Sequence, residues 1–319
     1  MYNNFMKLVI QIPCFNEENS LLEVLKSIPK KIKGVDKIEI LVLDDGSIDN
    51  TVSVAKEFGV DKIILNKENK GLSYTFKRGV EEALSNKADI LVNLDGDNQY
   101  KAQDIEKLIQ PILNKQADIV VGTRPINNIK EFSFFKKILQ KFGSLAVKLI
   151  ANIDIKDAPS GFRAFNTNAL LHLNVFNSYT YTIETLIQAK IKNLVVKNID
   201  IEVNQQKNRK SKLVKNNFNY IFKQAHTLIR YFIIYRPSFF FVTLSSLFFF
   251  FGFILGARFL YFYLNGDGQG HIQSLILCSI ILVLSFILLM LAIIGDLFSI
   301  NRKILEDIQF QQRQNKFKS

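Results

Sequence analysis

Only two of the 319 residues are cysteine, Cys14 and Cys278, one in a predicted strand and one in a long apolar run. Neither their spacing nor their setting suits a disulfide or a cysteine metal site. No G-x-G-x-x-G fingerprint follows the first predicted strand, which ends in Pro13-Cys-Phe-Asn-Glu-Glu18, and no Walker A sequence occurs anywhere. These absences remove the Rossmann dinucleotide site and the P-loop as ways of cradling phosphate. Acidic residues are missing between Glu202 and Asp267, whereas Lys207, Arg209, Lys210, Lys212, Lys215, Lys223, Arg230 and Arg236 fall there. Charge of either sign is missing from Ser238 to Ala257 and again from Ile272 to Gly295. Each stretch is long enough to cross a hydrocarbon core of roughly 30 Å as a helix. The opening residues MYNNFMKLVIQIP are too short an apolar run for a signal peptide and soon turn into a strand.

What is present divides along the chain. Net charge is +12, from 41 basic and 29 acidic residues. A basic cluster beside an apolar span suits anionic lipid, at about 1 kcal/mol per side chain, and no nucleic-acid partner is expected. Val214, Phe218, Ile221, Phe222, Ala225, Leu228, Ile229 and Phe232 recur at helical spacing, with Lys215, Lys223 and Arg230 elsewhere around the helix. That pattern fits a helix lying in the membrane interface, or one packed on the preceding domain. Arg236 precedes the first span and Arg302 and Lys303 follow the second, while the loop 264–271 carries no Lys or Arg. The positive-inside rule then predicts a two-pass integral membrane protein with its N-terminal domain and both termini cytoplasmic. Arg258, Tyr261 and Tyr263 would anchor the far interface.

From residue 7 to about 123, strand and helix patterns alternate. Strands are expected at Lys7–Phe15, Ile38–Leu43, Lys62–Leu65, Ile90–Leu94 and Asp118–Thr123, with helices at Asn19–Ile28, Asn50–Phe58, Leu72–Leu84 and Ala102–Asn114. This order predicts an α/β fold around a mostly parallel sheet, with ligands at the carboxyl ends of the strands. Three of those ends are acidic: Asn16-Glu-Glu18, Asp44-Asp-Gly-Ser47 and Asp95-Gly-Asp97. In an extended chain residues i and i+2 point the same way, so Asp95 and Asp97 can share a hard divalent cation, Mg²⁺ or Mn²⁺, with Gln99 adding a neutral oxygen. The same residues also suit a plain polar turn. Convergence of the three ends on one rim favours a pocket that binds phosphate through a cation.

The motifs IPCFNEE (12–18), VLDDGS (42–47), NKGLSYTFKRG (69–79), NLDGDNQ (93–99), VVGTR (120–124), SGFRAFN (160–166) and NRKSKL (208–213) together resemble family 2 glycosyltransferases of the GT-A fold. The likeness is to the branch of dolichol-phosphate mannosyltransferases and polyprenyl-phosphate glycosyltransferases. It covers the polar part of the chain and implies a Rossmann-like GT-A domain at 1–205, then a basic loop and interface helix at 206–236. Spans at about 238–260 and 272–295 would lie within 237–299, followed by a basic cytoplasmic tail at 300–319.

By that resemblance, Pro13, Phe15, Asn16, Glu17, Leu43, Asp44, Asp45, Asp95 and Gly96 would hold a UDP- or GDP-linked sugar. Asp95, Asp97 and Gln99 would bind the metal that bridges the pyrophosphate. Arg124 would approach the phosphates or the acceptor, and Ser160, Gly161, Arg163 and Ser211 would shape the acceptor side. Arg209 and Lys212 would close over the pyrophosphate and the lipid phosphate, or rest on lipid headgroups. Asp97, Arg124, Arg163, Arg209 and Lys212 would carry catalysis. Glu184 lies where relatives acting on sugar hydroxyls keep a catalytic acid, although their Glu-Asp pair reads Glu-Thr here.

The implied activity is inverting transfer of a sugar to a polyprenyl (dolichyl or undecaprenyl) phosphate on the cytoplasmic leaflet. The alternatives are transfer to a glycan or lipid-linked sugar hydroxyl in cell-envelope synthesis, or a catalytically silent membrane scaffold. Processive synthases of this fold carry Q-x-x-R-W, and this chain has no tryptophan. A silent relative should have lost some of the carboxylates, and all are present. A homo-oligomer is compatible with this reading.

Overall fold

The computed structural model describes residues 5–125, 148, 153–175, 181–204, 229–266 and 268–318. They fall into two compact units, residues 1–215 with 307–319, and residues 216–306.

The first unit is an α/β layer structure. Strands β1 (Lys7–Cys14), β2 (Lys37–Asp44), β3 (Lys62–Leu65) and β4 (Ile90–Asn93) alternate with helices α1 (Leu21–Ser27), α2 (Thr51–Phe58) and α3 (Leu72–Ser85). A 3₁₀ turn at Ala102–Asp104 leads into α4 (Ile105–Leu113), and β5 spans Ile119–Thr123. Then come β6 (Arg163–Asn166), α5 (Thr167–His172), α6 (Thr182–Ile191) and β7 (Val196–Asp200). The sheet order is β3-β2-β1-β4-β6-β5-β7. All neighbours run parallel except β6, which is antiparallel to β4 and to β5. The parallel sheet is thus interrupted by one reversed strand, as a mixed α/β sheet allows.

Helices on both faces make the central strands largely apolar: Leu8, Ile10 and Ile12 of β1 and Leu91 and Val92 of β4 are shut off from solvent. Burying one such side chain contributes about 1.5–3 kcal/mol. The expected helix 102–114 opens as a 3₁₀ turn, because Asp104 turns its carboxylate to the Glu202 amide (2.7 Å) and to Lys107 (2.7 Å).

In the second unit, residues 229–235 are helical, the part of the predicted interface helix that falls within the described residues. Helix α7 (Pro237–Leu264) and helix α8 (Ile272–Lys318) follow. Both are long and apolar enough to cross a membrane. Small residues line their seam. Ser245 and Ser285 each donate to the other's carbonyl at 2.8 and 3.0 Å, and Cys278 donates to the Gly252 carbonyl. A Cβ on Gly252 would come 2.8 Å from Leu282, so close helix approach depends on that glycine, as in membrane helix pairs.

Helix α8 does not stop near residue 295 but continues through the stretch expected to form a separate tail. Residues 307–318 belong to the first unit, where Asp307 pairs with Lys192 at 2.7 Å. There Arg313 donates to the Leu173 carbonyl (2.7 Å) just past the end of α5, a favourable place for a cation.

Candidate active site

The first two rim loops are joined by side chains that satisfy each other's backbone. At the ends of β1 and β2, Pro13 pairs with Leu43 and Cys14 with Asp44 in register. Asn16, in the left-handed region at φ 56°, donates its amide to Ser47 Oγ (2.8 Å) and accepts from the Ile48 amide (2.9 Å). The Glu17 amide donates to Thr51 Oγ1 (2.8 Å). Ser20 Oγ donates to Glu17 Oε2 (2.8 Å) and to the Gly96 carbonyl (2.9 Å), which brings the third rim loop to the first. Phe15 stands partly exposed at this edge.

Asp44 and Asp45 are both buried but differ in what they hold. Asp44 Oδ2 accepts from the Gly46 and Ser47 amides (3.1 and 3.0 Å), and its Oδ1 has no hydrogen-bond partner. Asp45 accepts from Asn66 Nδ2 (2.7 Å) and from the Lys70 and Gly71 amides (3.0 and 2.8 Å). Asp45 therefore anchors the loop before α3 rather than standing ready for a base or ribose. Asp44 is the one with an oxygen to offer.

The third loop carries the cation candidates. Asp95 is half-buried, and its carboxyl is pushed up to about 7, first by desolvation and then by the neighbouring Asp97 charge. Two carboxylates that repel each other at such a site gain most from a shared cation. Asp97 Oδ1 accepts from the Gln99 amide at 3.0 Å. No cluster of three His, Cys, Asp or Glu suited to a metal occurs among the described residues. The donor set is therefore two carboxylates with open positions, which fits Mg²⁺ or Mn²⁺ completed by substrate phosphates rather than an all-protein cage. Gln99 Oε1 accepts from Arg124 Nη1 at 3.3 Å, which ties the expected third ligand to the wall and leaves it one lone pair.

Backbone economy shapes this pocket. A Cβ on Gly161 would come 2.7 Å from Asp95 Oδ2, and one on Gly96 would come 2.7 Å from Cys14 Sγ. Both positions are held to glycine by close approach, not by a turn. The Cys14 thiol is raised well above its ordinary pKa by burial and then by Glu17 and Asp44, so it stays neutral and is no nucleophile.

Across from the acidic rim stands a wall that the sequence reading assigns to catalysis and acceptor binding. Here the structure corrects two residues. Arg124 is buried in a forked pair with Asp157, at 2.7 Å from Nε and 2.9 Å from Nη2. Burial works against its charge, but the Asp157 and Asp95 carboxylates hold it protonated. Its guanidinium braces the wall instead of opening toward a phosphate. Arg163 is fully buried and donates to the carbonyls of Ser160 (2.8 Å), Ala158 (2.5 Å) and Thr182 (2.7 Å) and to Thr185 Oγ1 (2.8 Å). Burial lowers its pKa to about 10, and no acceptor can reach it. Ser160 is buried with an unpartnered hydroxyl, and Glu184 is buried in the first turn of α6. Arg209, Ser211 and Lys212 lie outside the described residues.

Sequence reasoning missed Asn93, Tyr100, Asp157 and Tyr181. Tyr100 accepts from the Gly161 amide and Tyr181 donates to the Gly161 carbonyl, both at 3.1 Å. Burial raises both phenols, Tyr100 to about 12, so they act as neutral struts. The available signals were a polar residue closing the apolar strand Ile-Leu-Val-Asn93 and a lone acid in Asp157-Ala-Pro-Ser160.

The family described as glycosyl transferase family 2 matches residues 9–173. The chain is 32% identical over 214 residues to the UDP-N-acetylglucosamine–dolichyl-phosphate N-acetylglucosaminyltransferase of Methanococcus voltae, covering 60% of this chain and 83% of that protein. It is 34% identical over 200 residues to the dolichol-phosphate mannosyltransferase of Pyrococcus furiosus, covering 60% of this chain and 55% of that one. Among solved structures, glucosyl-3-phosphoglycerate synthase from Mycobacterium tuberculosis, in complex with Mn²⁺, UDP and phosphoglyceric acid, superposes with a TM-score of 0.55. That match is 18% identical and covers 72% of this chain and 78% of that one, a likeness of GT-A fold alone.

Proposed function

The chain belongs to glycosyl transferase family 2, and from that premise we propose that it moves a sugar from a nucleotide donor to a polyprenyl phosphate at a membrane surface. The observation that carries this reading is the meeting of three acidic rim loops around Asp95, whose carboxyl is held toward neutrality. Support for the acceptor class comes from the two relatives that act on dolichyl phosphate and from two helices apolar enough to anchor the chain.

In this reading Asp95 and Asp97 hold a divalent cation, and Gln99 links that pair to Arg124. When bound, the cation supplies Lewis-acid stabilisation of the departing nucleoside diphosphate. Asp44 offers its unpartnered oxygen to the nucleoside, and Asp45 keeps the loop before α3 in place. A lipid phosphate, with a second pKa near 6, is mostly dianionic at neutral pH and needs no strong general base. What it needs is positive charge against phosphate–phosphate repulsion. Because Arg124 and Arg163 are committed to the wall, that charge falls to the basic segment with Arg209 and Lys212, and Ser211 shapes the same acceptor edge. Single displacement at the anomeric carbon gives the inverted anomer. Positive-inside logic places the transferase unit and both termini on the cytoplasmic side.

The test is a screen of radiolabelled nucleotide sugars against membranes containing the protein, with and without added polyprenyl phosphate. One labelled sugar is expected to become extractable into organic solvent, only when both polyprenyl phosphate and Mg²⁺ or Mn²⁺ are present. Label passing to a water-soluble glycan instead would replace the lipid acceptor with a sugar hydroxyl.

A further inference from the structure

Behind the rim, among the apolar side chains of the two central strands β1 and β4, lie two fully buried amides. Gln11 on β1 and Asn93 on β4 are register partners and have no exposed surface. Burying a polar side chain away from solvent costs free energy that hydrogen bonds only partly return, so their place at the centre of the sheet calls for a reason.

The bonds between them have a direction. Gln11 Nε2 donates to Asn93 Oδ1 at 2.8 Å. With its oxygen taken by that donor, Asn93 turns its NH₂ the other way. Asn93 Nδ2 donates to the Gly161 carbonyl at 2.9 Å and to Asp95 Oδ1 at 3.3 Å. A reversed Asn93 amide would set its oxygen against the Asp95 carboxylate and the Gly161 carbonyl, acceptor against acceptor. The Asp95 carboxylate and the Gly161 carbonyl thus set which end of Asn93 they meet, and Gln11 holds the other end of that amide in place.

Helix α3 makes room for this. A Cβ on Gly79 would fall 1.9 Å from Gln11 Oε1 and 3.2 Å from Leu43 Cδ1. Glycine inside a helix costs about 1 kcal/mol relative to alanine, and Gly79 stands in the middle of a 14-residue helix. Gln11 Oε1 is itself buried without a hydrogen-bond partner. Stability is thus conceded at two points for the sake of one side chain that touches no substrate-facing surface.

We propose that Gln11 and Asn93 are positioning residues that aim the Asp95 carboxylate at the divalent cation, with Gly79 preserving their alignment. This rests on the reading of Asp95 and Asp97 as the cation pair. Outer-shell hydrogen bonds to a ligating group are worth about 10–100-fold in metal affinity, and Asn93 is such a partner for Asp95.

The experiment measures Mn²⁺ binding to the full chain in detergent by titration calorimetry, alongside its melting temperature without metal. Asn93→Leu is expected to weaken Mn²⁺ binding by about 10–100-fold. Gly79→Ala forces the buried Gln11 amide aside, so its Mn²⁺ affinity is expected to fall together with some melting temperature, and the double variant separates the two effects. Gln11→Leu with Asn93→Leu, which removes both buried amides together, should keep the fold and bind Mn²⁺ weakly. The inference is overturned if wild type binds Mn²⁺ and Gly79→Ala and the double variant bind it equally well, or if affinity in the double variant falls only in step with lost melting temperature. Wild-type protein that binds no Mn²⁺ would overturn the reading of the cation pair and the relay with it.

Discussion

The acidic rim and the wall facing it both concentrate charged side chains, put to opposite use. At the rim, carboxylates at the ends of β1, β2 and β4 accept from nearby amides and still leave charge unbalanced: Asp95 is pushed toward neutrality and Asp44 Oδ1 has no partner. On the wall the charges are spent. Arg124 is forked onto Asp157, and Arg163 gives its donors to three carbonyls and a hydroxyl. The contrast shows that an arginine in a motif beside a phosphate site need not be there for the phosphate. Charge that is compensated inside the protein builds shape, and charge that is not compensated binds ligand.

The wall should therefore fail by unfolding and the rim by losing function. The largest effect is expected for Asp157→Ala, which takes the forked carboxylate partner from the buried Arg124. Breaking such a pair costs about 3–5 kcal/mol, read as a lowered denaturant midpoint of the detergent-solubilised protein. A stable Asp157→Ala protein with impaired transfer alone would erase the distinction. Next comes Asp97→Ala, expected to reduce sugar transfer by at least about 100-fold, as for loss of one preorganised electrostatic group, with an unchanged midpoint. Gly161→Ala sits where rim and wall touch. Its methyl must displace the Asp95 carboxylate 2.7 Å away, so transfer should fall together with about 1–3 kcal/mol of stability.

The smallest predicted effect is on pH. Burial keeps the folded Asp95 carboxyl protonated up to about 7, while an unfolded aspartate loses its proton near 4. Metal-free protein thus binds more protons folded than unfolded across that window. The resulting stability is present below about pH 4 and lost as pH rises through about 7. Mn²⁺ must displace the same proton, so its affinity should climb with pH and level off above about 7. Calorimetry in buffers of different ionisation enthalpy counts the proton released. Affinity that does not change between pH 5 and 8 would contradict the Asp95 assignment.

This contrast also explains what could be read from the chain. The rim is written locally: strand, turn and carboxylate fall within a few residues, so Asn16–Glu18, Asp44–Ser47 and Asp95–Asp97 were visible as one set, as were the parallel strands and the two uncharged stretches within α7 and α8. The wall is written across distance. Arg124 and Asp157 are 33 residues apart, and nothing near either one names the other. Arg163 looked like a free cation because its acceptors are backbone carbonyls, which no sequence displays. Asn93 lay inside the expected strand Ile90–Leu94, and its partner Gln11 is 82 residues away. Helix α8 outran its apolar stretch because polar residues after 295 keep helical propensity, and Arg313 finds the end of α5 to cap.

The central claim is that phosphate enters this acidic pocket only in company with a cation. Binding of free UDP and GDP to the wild-type protein, titrated in Mn²⁺ and again in chelator, tests it most directly. The account predicts saturable binding of one of them in Mn²⁺ that disappears in chelator and in Asp97→Ala. Equal binding with and without the metal would contradict it.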